Sequence, residues 1–312
     1  MSKKMKLWLL IATAAIVIGC IMLGVVMSIM GWDLSKLSTM KYVTNEYVID
    51  EEFQNIRVST GTTNVVFIPT KDETAKVICK ELEKVRHLVT VEDGTLVIAA
   101  EDEREWYDHI GINFDSPKIT VYLPENNGTV SAMYGSISVQ GGTGDVNCFV
   151  SATEINLHTT TGDIFVENIS AGAMELSVST GSVTVVGVTC GSDIQVDAST
   201  GRVNVMNVHC KSFSSEGSTG DVILERLLTD EQIFVRRSTG NVKFDHCDAM
   251  ALIRVEVNTG DIKGSFLSGK IFSVNTNTGN VDVPVSEEGH GECQISTRTG
   301  NVRIIIDENP MI

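Results

Sequence analysis

Four consecutive side chains, Trp106, Tyr107, Asp108 and His109, form the densest group in the sequence that could do binding chemistry. They follow an acidic run, Glu101, Asp102, Glu103, Arg104 and Glu105. Rigid aromatic rings beside carboxylates suit the grip of a sugar or a peptide, because rings give contact area at low conformational cost. The same rings could instead fold back over the end of a stacked core. Trp106 is the only tryptophan beyond residue 32, which makes this segment the candidate partner-binding site.

A second set of acids recurs beside glycine: Asp145, Asp163, Asp221 and Asp261, in a row shared with Ser182, Arg202, Asn241, Asn280 and Asn301. Stacked carboxylates can hold calcium. Here Arg202 breaks the row, and Asp or Asn beside Gly is ordinary turn chemistry, so no metal is expected. The seven cysteines contain no C-x-x-C pair, which leaves a zinc site of the usual spacing unsupported. Cys148, Cys247 and Cys293 fall at inward strand phases and read as small buried hydrophobes. Cys190 and Cys210 share a phase on consecutive repeats; a disulfide or a tight corner would explain them, and the small Ala171, Ala249 and Gly269 at the same phase favour the corner. No G-x-S-x-G, P-loop or H-E-x-x-H occurs, and the six histidines are dispersed. A catalytic constellation is therefore not expected, nor is a cofactor.

The elements that must carry these residues are set by a short phrase, Thr-Gly followed by a polar residue and a β-branched run. Its glycines are Gly144, Gly162, Gly181, Gly201, Gly220, Gly240, Gly260, Gly279 and Gly300, in steps of 18 to 21 residues. A fixed period near twenty over more than half a chain is the mark of a solenoid. Numbered from each Gly, positions +2 and +4 are apolar (Ile164 and Val166, Val203 and Val205, Val302 and Ile304), as are −7 and −5 (Ile155 and Leu157, Ile253 and Val255). Spacing by two is the strand period. Each rung thus has at least two short strands with a glycine corner between them, glycine supplying the positive φ that a tight corner needs. The expected fold is all-β: a single-stranded parallel β-solenoid of about 19–20 residues per rung, with the nine glycines as structural turns.

Leu7 to Trp32 is apolar apart from Thr13 and Ser28. As a helix it spans roughly 39 Å at about 1.5 Å per residue, enough to cross a bilayer with some tilt. Lys3, Lys4 and Lys6 precede it. They place the N-terminus in the cytoplasm and the rest outside as a single-pass protein of the cell membrane. The expected organisation is residues 1–32 as cytoplasmic N-terminus and transmembrane anchor, 33–41 as tether, 42–124 as a β-rich capping region with an insert at 101–116, and 125–312 as solenoid repeats. Within the capping region Asp93-Gly94 predicts a hairpin, and Phe53 to Gly61 reads as an early, diverged repeat. The net charge of −16 argues against nucleic acid and against docking on anionic lipid, both of which need clustered Lys and Arg.

Three features together, the single N-terminal anchor, the segment Lys118-Ile119-Thr120-Val121-Tyr122-Leu123-Pro124, and the Thr-Gly-Asp-Val rungs that follow, resemble the bacterial putative-adhesin β-solenoid family common in Gram-positive bacteria. The likeness covers about residues 42–306. It implies a membrane-anchored solenoid of otherwise undefined function facing the cell surface, in some members encoded with envelope-stress regulators, and it supplies no catalytic residues. The functional expectation is a non-enzymatic binding or adhesion-like module of the cell envelope whose partner is an envelope protein or glycan. Its rivals are a self-associating structural rod, that is a homo-oligomer, and, less favoured, a polysaccharide-active β-helix enzyme.

Overall fold

The computed structural model describes residues 3–29, 31–32, 41–104, 116–125, 133–287 and 290–307. One helix, α1 (Lys3–Ile29), precedes the β structure; it is long and apolar enough to cross a membrane, and none of its apolar window is buried. Mostly β, the rest of the chain is a parallel β-solenoid.

The strands divide into three groups along the chain. The leading group is β1 (Tyr42–Ile49), β2 (Asn55–Thr60), β3 (Asn64–Thr70), β4 (Ala75–Leu82), β5 (Val85–Glu92), β6 (Thr95–Asp102) and β7 (Lys118–Pro124). The regular windings are β8 (Tyr134–Thr143), β9 (Val146–Cys148), β10 (Ala152–Thr161), β11 (Ile164–Glu167), β12 (Ser170–Thr180), β13 (Val183–Val186), β14 (Thr189–Cys190), β15 (Asp193–Thr200), β16 (Val203–Thr219), β17 (Val222–Thr239), β18 (Val242–Ala249), β19 (Leu252–Thr259) and β20 (Ile262–Phe266). The closing group is β21 (Ile271–Thr278), β22 (Val281–Asp282), β23 (Glu292–Thr299) and β24 (Val302–Ile306).

Successive windings stack in register. Ile155 lies between Ile137 and Met174, and Leu157 between Val139 and Leu176. Positions +2, +4, −7 and −5 point inward throughout the middle of the rod, and their side chains are buried in one continuous core that also takes in Ile56, Val58, Phe67, Val77, Ile119 and Val121 of the leading group. Such a core, mostly small aliphatic side chains, suits the narrow space between facing parallel ladders.

The corner glycines are doubly constrained. Their φ values run from +134° at Gly220 to +154° at Gly260. A Cβ on Gly201 would lie 1.7 Å from the Gly181 carbonyl oxygen, and one on Gly220 would lie 1.9 Å from that of Gly201. Close backbone stacking therefore excludes a side chain there, as well as the positive φ that a Cβ disfavours. A second corner sits six residues further on. Asn168, Gly187, Asn207, Arg226 and His246 all have φ between +49° and +64° there. Asn and Gly adopt that conformation easily; Arg and His do so only where the surroundings hold them. Arg226 Nε donates to Asn207 Oδ1 one winding below, and His246 is clasped by Asp245 (Nδ1 to Oδ1, 2.6 Å) and Asp307 (Nε2 to Oδ2, 3.3 Å).

The windings do not stack in sequence order at the two ends. At the leading end β2 lies between β6 and β8, and β3 between β7 and β9, all parallel. The early repeat around Thr60 is thus an inner rung, and the later β6–β7 rung lies outside it. At the closing end β23 lies between β19 and β21, and β24 between β20 and β22. The last winding is therefore inserted beneath the one before it. The corner hydrogen bonds trace the same exchange: Gly260 N donates to Thr299 O and Gly300 N donates to Thr278 O, each at 2.9 Å.

Beyond the outer leading rung the strand direction reverses. β4 packs antiparallel on β7, β1 antiparallel on β4, and β5 antiparallel on β6 through the Asp93-Gly94 turn. The hairpin joining β4 to β5 spans the end of the rod. Among the described residues no antiparallel strand follows β21 and β22, whose strand partners are β23 and β24; Ser286 Oγ accepts the Phe272 N–H on the other side of β21.

Candidate functional site

Trp106, Tyr107, Asp108 and His109 lie outside the described residues. The acidic run before them is described in part: Arg104 is held by Asp102, its Nε donating to Oδ1 at 2.8 Å and its Nη2 to Oδ2 at 2.6 Å.

The described surface that repeats most regularly is the Thr-Gly corner. The Thr before each corner glycine is exposed, from Thr143 to Thr299. The residue after the glycine forms a vertical ladder in which a side-chain oxygen accepts the backbone N–H of the next rung. Asp163 N donates to Asp145 Oδ1 at 2.9 Å and Ser182 N to Asp163 Oδ1 at 2.7 Å. Asn241 N donates to Asp221 Oδ1 at 2.8 Å, Asp261 N to Asn241 Oδ1 at 3.0 Å and Asn301 N to Asp261 Oδ1 at 2.8 Å. Each carboxylate in this ladder spends an oxygen on the backbone, which is the capping use of Asx residues rather than an array turned toward an ion. Between Thr200 and Gly260 the corners enclose a shallow groove of about 590 Å³, with Arg202, Asp221 and Asn241 in its wall. Threonine side chains, glycine corners, one cation and one anion line this groove, whose exposed surface is more apolar than polar, a strip able to pack against and hydrogen-bond an elongated ligand.

Two basic side chains lie inside the rod. Arg237 is 1% exposed. It occupies position −3, where other rungs carry Thr159, Val178 or Ala198, and fits because Gly217 faces it. Its Nη2 donates to Ser215 Oγ at 2.8 Å and Nη1 to the Arg236 carbonyl at 2.9 Å, while Nε has no partner. Burial lowers its pKa to about 10, against the smaller opposing pull of Asp197 and Glu216. Lys270, also 1% exposed, donates to the carbonyls of Ala249 and His290 and pairs with Asp248 at 2.5 Å. It ties the turns of the closing windings together, a structural task.

The cysteines are free thiols, buried except for Cys20 in the helix. Burial pushes the thiols of Cys247 and Cys293 up to about 12 and that of Cys148 up to about 11. Cys190 and Cys210 stack on consecutive windings without a bond, Cys190 Sγ reaching the Gly172 carbonyl at 3.3 Å. His209 and His246 stay apart, each beside its own carboxylate.

One polar cluster was not legible in the sequence. Glu81 is 1% exposed and His87 2% exposed beneath the β4–β5 hairpin. His87 Nδ1 and its backbone N each lie 2.7 Å from Glu81 Oε2. Asn45 Nδ2 donates to Glu81 Oε1 at 2.6 Å, and Thr60 Oγ1 lies 3.1 Å from His87 Nε2. Cys79 is on the same face of β4, two residues before Glu81.

No curated protein matches this chain. Among solved structures, a putative adhesin of Bacteroides fragilis is 17% identical over 85% of this chain and 97% of its own, with a TM-score of 0.49. A putative adhesin of Parabacteroides merdae is 11% identical over 72% of this chain and 96% of its own, with a TM-score of 0.38. A putative lipid binding protein of Parabacteroides distasonis is 11% identical over 86% and 98%, with a TM-score of 0.32. The family model Toastrack DUF4097 matches residues 53–226 and 189–312, which together take in nearly all of the β structure. The chain belongs to the Toastrack DUF4097 family.

Proposed function

We propose that this protein is a membrane-anchored binding module of the bacterial cell envelope, holding its solenoid outside the cytoplasmic membrane and gripping an envelope glycan or protein without catalysis. The observation that carries the reading is the groove along the Thr-Gly edge between Thr200 and Gly260. It repeats hydroxyl and peptide groups at the strand spacing of about 4.8 Å, a lattice suited to a partner that is itself extended. The apolar helix, led by Lys3, Lys4 and Lys6 and followed by Asp33 ahead of Lys36 and Lys41, supports a single-pass anchor with the rod outside. The residues at 106–109 are a second contact point of the same module. A link to envelope-stress signalling would follow if the partner is a membrane sensor.

The test is photo-crosslinking in cells from a reactive residue placed at position 202, at position 106, and as a control at Met250, which is exposed and lies ten residues past its own corner glycine, Gly240. Adducts with cell-wall glycan or with one membrane protein at 202 or 106, absent at 250, are expected. The absence of adducts at both 202 and 106 sinks the proposal.

The outer edge of β21 and β22, which among the described residues meets Ser286 and Glu287 only at the start of β21 and pairs with no further strand, favours a second reading, a self-associating rod. Sedimentation over a concentration series separates the readings, a monomer throughout excluding the rod.

A further inference from the structure

We propose that Cys79, Glu81 and His87 form a zinc(II) site enclosed between the β4–β5 hairpin and the first rungs of the solenoid. The three are 0%, 1% and 2% exposed. Each offers one ligand atom, and these atoms lie within 4.8 Å of one another, the one such group among the described residues. Around a tetrahedral zinc with bonds of about 2.0–2.3 Å, ligand atoms sit roughly 3.3–3.8 Å apart. The Glu81 Oε2–His87 Nδ1 pair, 2.7 Å apart, therefore has to open by about half an ångström, and the widest pair has to close by about an ångström at most.

The local fold brings them together simply. Cys79 and Glu81 alternate onto the inner face of β4, the chain reverses at Glu83 and Lys84, and His87 returns on β5 facing them. Thiolate, imidazole and carboxylate together match the borderline softness of zinc, whereas calcium and magnesium call for oxygen alone. An outer layer is already in place. Asn45 holds Glu81 Oε1, the His87 backbone N–H holds Oε2, and Thr60 Oγ1 stands beside His87 Nε2, so both first-layer side chains are oriented by hydrogen bonds.

The proton balance is favourable. Zinc would replace two protons, the one between His87 Nδ1 and Glu81 Oε2 and the one on Cys79 Sγ. The net charge of the buried site stays unchanged, as a low-dielectric interior requires. Cys79 differs here from the other core cysteines. Cys148 and Cys247 point their thiols at the carbonyls of Val150 and Leu224 and belong to no such three-ligand group among the described residues.

The full chain in detergent, stripped with a chelator and titrated with cobalt(II), tests this. A thiolate-to-cobalt charge-transfer absorption that saturates at one ion per chain is expected, along with its displacement by zinc(II). Complete loss is expected in Cys79→Ala, and a rise in melting temperature on adding zinc in the wild type only. No charge-transfer band in the wild type at saturating cobalt, or a band of undiminished intensity in Cys79→Ala, overturns the proposal. His87→Gln keeps the thiol and a hydrogen-bond donor, so it decides the matter if Cys79→Ala loses its β circular dichroism. Retention of the band in a folded His87→Gln chain also counts against the site.

Discussion

The two ends of the rod are built on opposite plans, although the chain treats its own termini alike at both. At each end the rung nearest the chain terminus is tucked one layer inward, β2–β3 under β6–β7 and β23–β24 under β21–β22. The leading end is then sealed by a reversal of strand direction, with β4, β1 and β5 laid antiparallel over the outer rung. The closing end stays parallel, and Ile271, Val281 and Val285 are 44%, 46% and 87% exposed there. A repeating rung cannot terminate itself, because every copy leaves the edge that received it. Sealing takes a different kind of strand, and among the described residues it is found at the leading end alone.

That contrast can be broken most severely through the core. Phe67 is 0% exposed beneath the seal, whereas Phe272 is half-buried in the open rung. Phe67→Ala should cost about 4 kcal/mol and Phe272→Ala no more than about 1 kcal/mol, read from urea midpoints of the purified chain. Equal losses would mean that the closing end is covered in solution.

The corner glycines give the next largest effect. Gly220 and Gly279 share a positive φ and a neighbouring carbonyl about 2 Å from any added Cβ. Gly220 is enclosed on both sides, while Gly279 can move outward. Gly220→Val should cost on the order of 3 kcal/mol and Gly279→Val clearly less, with proteolysis of the Gly279 variant confined to the open rung.

Thiol titration then probes the tucked rung. Cys293 in β23 is held near a pKa of about 12 by burial, against a small opposing effect of Lys270. In the unfolded chain the thiol loses its proton near pH 9 while the folded chain keeps it. Stability is therefore complete below about pH 9 and falls by about 1.4 kcal/mol per pH unit above that, until the folded value is reached. Cys293→Ala should flatten part of the decline in the urea midpoint between pH 9 and 10.5; an unchanged slope would mean that β23 is solvent-accessible.

The smallest effect is expected at the ladder. Asp221→Ala removes the acceptor of the Asn241 N–H and should cost about 1 kcal/mol, with Asp221→Asn restoring most of it.

The winding itself was legible in the sequence because position and chemistry coincide. Val203 and Val205, or Ile253 and Val255, mark their strands by spacing alone, and the hairpin at Asp93-Gly94 by its turn residues. The second corner was hidden, since Arg226 and His246 occupy left-handed positions that a reader expects Asn or Gly to fill. The exchange of rung order was hidden for a different reason. The steps from Gly260 to Gly279 and Gly300 look as regular as any others, yet the order of stacking is decided by how the ends pack, which no local pattern records. Glu81 and His87 carry no local pattern that marks them as buried; the reversal of the hairpin over the rod turns them inward. The neighbourhood of Trp106 lies outside the described residues, so the binding role assigned to it rests on residue type.

The tucked rungs bear on what happens when the rod is pulled. A force arriving through the segment ahead of Tyr42 meets β1 and then β2, and β2 is flanked by β6 and β8 along its length. A solenoid wound strictly in order would give way like thread from a spool, one edge strand at a time. Here the second strand to take the load must slide out between two neighbours, breaking both rows of hydrogen bonds at once. The closing end is locked in the same manner, so a tug on either terminus is resisted by strands sheared together.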